Sequence, residues 1–330
     1  MTGPAAGDAP DWFVRNVAVT PDEGTTVVDG CPIRWLRWGS GGADPLVLVH
    51  GGGASSQWWV PLAPFLATDR QVVAVDLSGM GDSGWRAGGY QTEGWAAEVL
   101  ACAADATGEI TRDATAGRRP VLVGHSLGGS VVAVAAALHP GALRAVVLCD
   151  TGVGRSLRTG RDGRHYRNRL TYPSVAEAVD RFRLIPRQDC PNRWMVEHLA
   201  RTSVRPVGPG GPDDPTRPDP GTATAWTWKF DWQVFARTYD RPFAEYLDVL
   251  ASSGVPVACI NGEQSRLVTP EVAARLAGHL PAAVHTSVPE ARHHLMLDQP
   301  LAFVAALRTV LAGLARPTGA IPDGTAIAPA

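Results

Sequence analysis

The chain has 330 residues, 45% of them hydrophobic and 19% charged, with a formal net charge of −2; this is the composition of a globular protein. So small a net charge gives no general attraction to nucleic acid or to an anionic membrane surface, and neither is expected as a partner. Lys229, the only lysine, follows Trp228, which excludes a P-loop, where the lysine must follow glycine, and leaves one candidate for Schiff-base chemistry.

Short apolar runs alternate with helix-like stretches, the pattern of βαβ units around a mostly parallel sheet. Strands are predicted over 25–28, 33–38, 45–50, 71–76, 120–124, 145–150, 255–260 and 283–288. The first two are closely spaced, with Asp29-Gly30 between them, and read as a hairpin; the later ones are continuous and rich in valine, as in strands buried on both faces. Helices are predicted over 93–106, 127–138, 270–280 and 301–314, two of them with proline in or just before the first turn, a common helix start. The alternation breaks between about 151 and 252, where helix-like pieces surround a Pro/Gly-rich segment, 205–221, read as a loop. The expected organisation is an α/β core of 1–150 and 253–315, a helical cap inserted after the sixth strand at 151–252, and a tail at 316–330.

The five cysteines, Cys31, Cys102, Cys149, Cys190 and Cys259, are odd in number and far apart, and two lie in apolar runs. Reduced packing thiols and a cytoplasmic location are expected. The first twenty residues contain no unbroken apolar stretch, so no signal peptide is predicted, and no segment nears the roughly 18 apolar residues of a membrane span.

Chemistry concentrates at three places. Gly124-His125-Ser126-Leu127-Gly128 has the Gly-x-Ser-x-Gly pattern, with an apolar strand running in and a small-residue helix running out. Such a strand–turn–helix holds a serine exposed at a sheet edge, which makes Ser126 the candidate nucleophile. His50-Gly51-Gly52-Gly53 ends another strand. Attack on a carbonyl puts negative charge on its oxygen and calls for preorganised N–H groups; Gly52, with Gly53 possible, and Leu127 after the nucleophile are the expected donors. His50 is read as a residue that fixes this loop and not as a base. The segment 289–300 follows the last strand, and His293 and His294 both stand where a base could reach back to Ser126. Two adjacent histidines without further ligands nearby make a poor metal site, and neither metal nor cofactor is expected. The run Gly79-Met80-Gly81-Asp82-Ser83-Gly84 fits G-x-G-x-x-G, but no helical period follows it as a dinucleotide fold requires.

Taken together, 50–53, 76–83, 124–129 and 290–300 resemble the α/β-hydrolase superfamily over roughly 25–150 and 253–315. The resemblance implies an α/β fold with a mostly parallel eight-stranded sheet flanked by helices. It implies a structural role for Asp76 and Asp82, and it selects His293 as the base, counted five residues back from Asp298. One departure stands out. Many relatives carry the triad acid in Gly-x-x-Asp after the seventh strand, and here that run is Gly262-Glu263-Gln264-Ser265. Ser265 cannot carry the charge, so Asp150, ending the run Val146–Asp150, is the expected acid, with Glu263 the rival.

The expected activity is hydrolysis of an ester, lactone, thioester or activated C–C acyl bond of a small apolar or aromatic molecule through Ser126, His293 and Asp150. Acyl-transfer cyclisation, perhydrolysis and ligand binding without turnover are the other uses of such a fold. Trp58 and Trp59 beside the glycine loop, with Trp226, Trp228 and Trp232 in the insertion, suggest a flat apolar wall. Residues 151–205 hold 12 Arg against 5 acidic residues, which suggests an anionic group on the substrate.

Overall fold

Asp29 and Gly30, with φ of 47° and 75°, turn the chain tightly, as a two-residue hairpin with positive φ at both central positions requires. The turn joins β1 (Asp22–Val28) to β2 (Cys31–Trp38), paired antiparallel from Asp22↔Arg37 to Val28↔Cys31. The computed structural model describes residues 9–108, 118–153, 170–208, 223, 225–236, 238 and 243–314. After the hairpin come β3 (Ala43–Val49), β4 (Arg70–Val75), β5 (Val121–His125) and β6 (Ala145–Cys149). Next come a short pair in the insertion, β7 (Val204–Pro206) and β8 (Trp226–Trp228), then β9 (Val257–Gly262) and β10 (Val284–Val288).

Eight strands form one sheet in the order β1-β2-β4-β3-β5-β6-β9-β10. Contacts β1/β2 and β2/β4 are antiparallel, and from β4 onward the sheet is parallel. All eight sheet strands predicted from the sequence are present. β5 and β6 are buried at every position, the reason their sequences run apolar without alternating. Edge strand β1 is largely exposed.

Period-two geometry distributes these side chains between two cores. Val47 and Val49 pack on one face with α3 (Thr92–Thr107), α4 (Leu127–Leu138), α7 (Phe243–Ser252) and α8 (Pro270–His279). Leu46 and Leu48 pack on the other with α1 (Asp11–Val17), α2 (Ala63–Leu66), α6 (Arg193–Thr202), α9 (Leu295–Asp298) and α10 (Pro300–Leu314). Each such side chain is fully buried, a contribution of about 1.5–3 kcal/mol apiece. The insertion also holds α5 (Val175–Arg181), capped by Ser174, whose hydroxyl accepts from the Glu177 N–H. The strand pair β7/β8 joins it through the bridge Tyr172↔Trp226. Within 151–252, α7 packs Tyr246, Leu247 and Leu250 into the first core beside α4, so this last helix lies against the sheet layer. Most of the Pro/Gly-rich segment at 205–221 and the tail at 316–330 lie outside the described residues.

All five cysteines are buried and unpaired. Burial pushes the thiols of Cys102, Cys190 and Cys259 up to about 12, which leaves them protonated and unreactive. Among the described residues, no helix is long and apolar enough to cross a membrane.

Candidate active site

The turn from β5 into α4 places Ser126 at φ 54° and ψ −116°, a conformation that costs a non-glycine residue about 1–3 kcal/mol. The surroundings enforce it. Ser126 N donates to the Cys149 carbonyl at 2.9 Å, and Gly129 N to the Ser126 carbonyl at 3.0 Å. Glycine is required on both sides: a Cβ at Gly124 would stand 2.1 Å from the Gly128 carbonyl oxygen, and one at Gly128 2.4 Å from that of Val49. The serine is left partly exposed on a cavity wall.

The loop after β3 faces this turn. Leu77 N donates to His50 Nε2 at 3.1 Å, which puts the proton of the neutral ring on Nδ1, 2.7 Å from the Gly51 carbonyl. With both nitrogens engaged and burial lowering its pKa, His50 is a bracket for the loop and holds no lone pair for catalysis. Gly53 N is taken by Met80 Sδ at 3.2 Å. The N–H groups of Gly52 and Leu127 meet no acceptor among the described residues, and both residues line the cavity beside Ser126.

Asp150 follows β6 at φ 47°, its N–H bonded to the Ile260 carbonyl at 2.9 Å. Its Oδ1 accepts from Gly262 N at 3.0 Å. Its Oδ2 accepts from the Ser265 hydroxyl at 2.7 Å and lies 2.6 Å from His293 Nδ1. A carboxylate at Nδ1 fixes the proton there and leaves Nε2 with a lone pair. Glu263 is turned away, accepting from the Glu290 N–H at 2.9 Å near the surface. Ser265, at the position where the resemblance would place an acid, donates its hydroxyl proton to Asp150.

Two further histidines complete the site. His125 Nε2–H donates to the His293 carbonyl at 2.9 Å, tying the His293 backbone to the turn that bears Ser126; the sequence shows it only as the variable residue of the serine motif. His294 lies with His125 and His293 on the cavity wall. Burial, with repulsion from His293, holds the pKa of His125 and His294 well below the usual value. Ring nitrogens of the three approach within 4.8 Å of one another. One nitrogen of His293 and one of His125 are already bonded, and a tetrahedral ion with bonds of about 2.1 Å would need the three drawn closer. Asp298 accepts from Arg292 N at 2.8 Å and from Gln188 Nε2, and His294 N donates to Gln188 Oε1 at 3.2 Å. The insertion is thereby fastened to the loop that carries His293.

The cavity has a volume of about 740 Å³. Trp58 and Trp228 line it, as does Trp232, whereas Trp226 does not; Trp226 packs in the insertion's own cluster with Tyr172 and Val204. Trp59 is fully buried and meets Phe303 at 6.2 Å, so it belongs to the core. Phe182, Phe230, Phe235 and Leu267 extend the apolar wall, and no motif marks them in the sequence. Asp76 accepts from the Ser56 and Asp82 N–H groups, and Asp82 pairs with Lys229 at 3.0 Å, so both are engaged in holding loops. After Gly84 no helix begins before α3 at Thr92, and the G-x-G-x-x-G run is a turn.

A family model for the α/β hydrolase fold matches residues 44–300. Esterase Rv0045c of Mycobacterium tuberculosis is 28% identical over 289 residues, spanning 84% of this chain and 86% of that protein; its structure superposes with a TM-score of 0.66 over 94% of this chain and 99% of that one. The structure of E-2-(acetamidomethylene)succinate hydrolase gives a TM-score of 0.68 at 19% identity, over 88% and 99% of the two chains. The thioesterase domain of the curacin biosynthetic pathway gives 0.66 at 21%, over 88% and 100%.

Proposed function

The chain belongs to the α/β-hydrolase fold family and is a serine hydrolase of the esterase-like kind, and on that footing we propose that it cleaves an acyl bond through Ser126, His293 and Asp150. The contact of 2.6 Å between Asp150 and His293 carries this reading. It supplies the charged partner that Ser265 cannot, and with it the main reason for a binding-only scaffold falls away.

Ser126 Oγ attacks the acyl carbon while His293 Nε2 takes its proton. Asp150 stabilises the imidazolium, and the N–H groups of Gly52 and Leu127 receive the oxyanion. Collapse of the tetrahedral intermediate breaks the bond to the leaving group, which departs with the proton from His293. Water then attacks the acyl-enzyme, giving its proton to His293, and Ser126 is regenerated as the acid product leaves. The substrate is an ester, lactone, thioester or activated C–C acyl compound whose acyl part is apolar or aromatic. Trp58, Trp228, Phe182 and Phe230 support that class, since rings offer large apolar contact area.

A fluorophosphonate probe followed by peptide mass spectrometry tests the reading. Covalent capture at Ser126, with a burst of p-nitrophenol from p-nitrophenyl butyrate, is the expected result. An unlabelled Ser126 in folded protein overturns it.

A further inference from the structure

Among the described residues, four cationic side chains line the cavity, Arg181, Arg183, Arg187 and Lys229, and no aspartate or glutamate does. Lys229 is neutralised by Asp82 at 3.0 Å. The three arginines are exposed and have no carboxylate partner among the described residues. Arg183 donates through Nη1 to the carbonyls of Asp180 and Phe182 at 2.7 and 2.6 Å, which leaves its other N–H groups open. Arg181 and Arg187 make no hydrogen bond or ion pair among the described residues. Asp180 and Asp189, the acids nearest in sequence, do not line the cavity. Unpaired guanidiniums converging on an apolar cavity are a receptor for a carboxylate or phosphate, which they meet with a planar fork of donors.

Their position relative to the reacting groups is held firmly. Gln188, one residue after Arg187, accepts from the His294 N–H at 3.2 Å and donates to Asp298 at 2.9 Å. Asn192 Nδ2 donates to the Leu297 carbonyl at 2.7 Å, and Arg292 Nη1 to that of Asp189. The segment bearing the arginines is therefore bolted to the loop that bears His293, and the span between charge and nucleophile is a property of the fold.

We propose that Arg181, Arg183 and Arg187 form an anion-receiving rim, so that the preferred substrate carries a carboxylate or phosphate remote from its scissile acyl bond. This rests on the hydrolase reading and adds the substrate's charge. The anion has two sources, a carboxylate at the far end of the acyl chain or a phosphate on the leaving group.

Two matched pairs distinguish them: mono-p-nitrophenyl suberate against p-nitrophenyl octanoate, and the octanoyl thioester of phosphopantetheine against that of N-acetylcysteamine. In at least one pair the anionic member is expected to show a kcat/KM about tenfold higher at low salt, since three exposed charge pairs of ordinary strength multiply to that order. The ratio should fall toward one at 0.5 M NaCl, where such charges are screened, and in the triple variant R181Q/R183Q/R187Q. A ratio near one in both pairs, in enzyme whose Ser126 accepts fluorophosphonate, overturns the rim and leaves the hydrolase standing. If Ser126 is inert, quenching of tryptophan fluorescence by suberate against octanoate, in the wild type and the triple variant, decides the rim separately. Tighter suberate binding lost in the variant supports it, and equal binding overturns it.

Discussion

Asp150 Oδ2 lies 2.6 Å from His293 Nδ1, although 143 residues separate the two in the chain. Both are almost wholly buried, so water does not compete for the contact. Asp150→Asn keeps the shape but removes the charge and allows the wrong imidazole tautomer, and kcat is expected to fall by about 10⁴. Glu263, occupied at the surface by the Glu290 N–H, is the control: Glu263→Gln should retain kcat within about twofold, the range of a surface substitution. Steady-state kinetics on an activated ester compare the two, and a crippled E263Q beside a normal D150N would move the acid to Glu263.

Ser265 donates to the same oxygen that faces His293. Losing one hydrogen bond to a charged group is worth roughly a tenfold drop, so Ser265→Ala should lower kcat by about that factor with KM little changed. Introducing a carboxylate there sets two like charges against one imidazole, an arrangement in which both do not ionise freely, so Ser265→Asp alone should also lose activity. In the double variant D150N/S265D the acid moves to the position many relatives use. It should recover at least about tenfold of the kcat lost in D150N, a part of that 10⁴ loss. No recovery would show that His293 accepts a partner only from β6.

Ser126 combines the candidate nucleophile with a backbone of positive φ. Ser126→Ala should lower kcat by on the order of 10⁶, the scale seen when a triad serine is removed, with far-UV circular dichroism unchanged. Ser126→Gly should be equally inactive yet unfold at a higher temperature than Ser126→Ala, because glycine adopts this conformation without the Cβ penalty. Calorimetry of the two inactive variants tests the strain apart from the chemistry. An Ala variant that still turns over would sink the nucleophile assignment.

Stability should depend on pH through histidines outside the proposed triad. Burial lowers the pKa of His50, His125 and His294, and holds His198 at about 4. Above the unfolded value near 6.5 these rings are neutral in both states and add no slope. As pH falls below it, the unfolded chain takes up protons that the folded chain refuses. Stability is then lost at about 1.4 kcal/mol per pH unit for each refused proton, until the folded pKa is reached. Calorimetry between pH 8 and 5 should show Tm level above pH 7 and falling below 6.5, less steeply in His294→Gln. A Tm that climbs on acidification would refute it.

By itself the sequence determined the features that depend on neighbours along the chain. Continuous valine runs mark strands buried on both faces. Asp29-Gly30 marks the hairpin, and a glycine-flanked Ser126 between strand and small-residue helix marks the elbow, because the backbone there admits few other residues. It left open what depends on residues far apart meeting in space. Asp150 and Glu263 both follow strands that end at the same sheet edge. Only the packing of β6 against β9 turns one carboxylate onto His293 and the other onto the Glu290 backbone. Trp58 and Trp59 are adjacent and chemically alike, yet one faces the cavity and the other Phe303. His125 and Gln188 carry no local signal at all, since their partners lie 168 and 106 residues away. Those choices belong to the tertiary structure, because a side chain's hydrogen-bond partner is set by which surfaces the completed sheet and its insertion bring together.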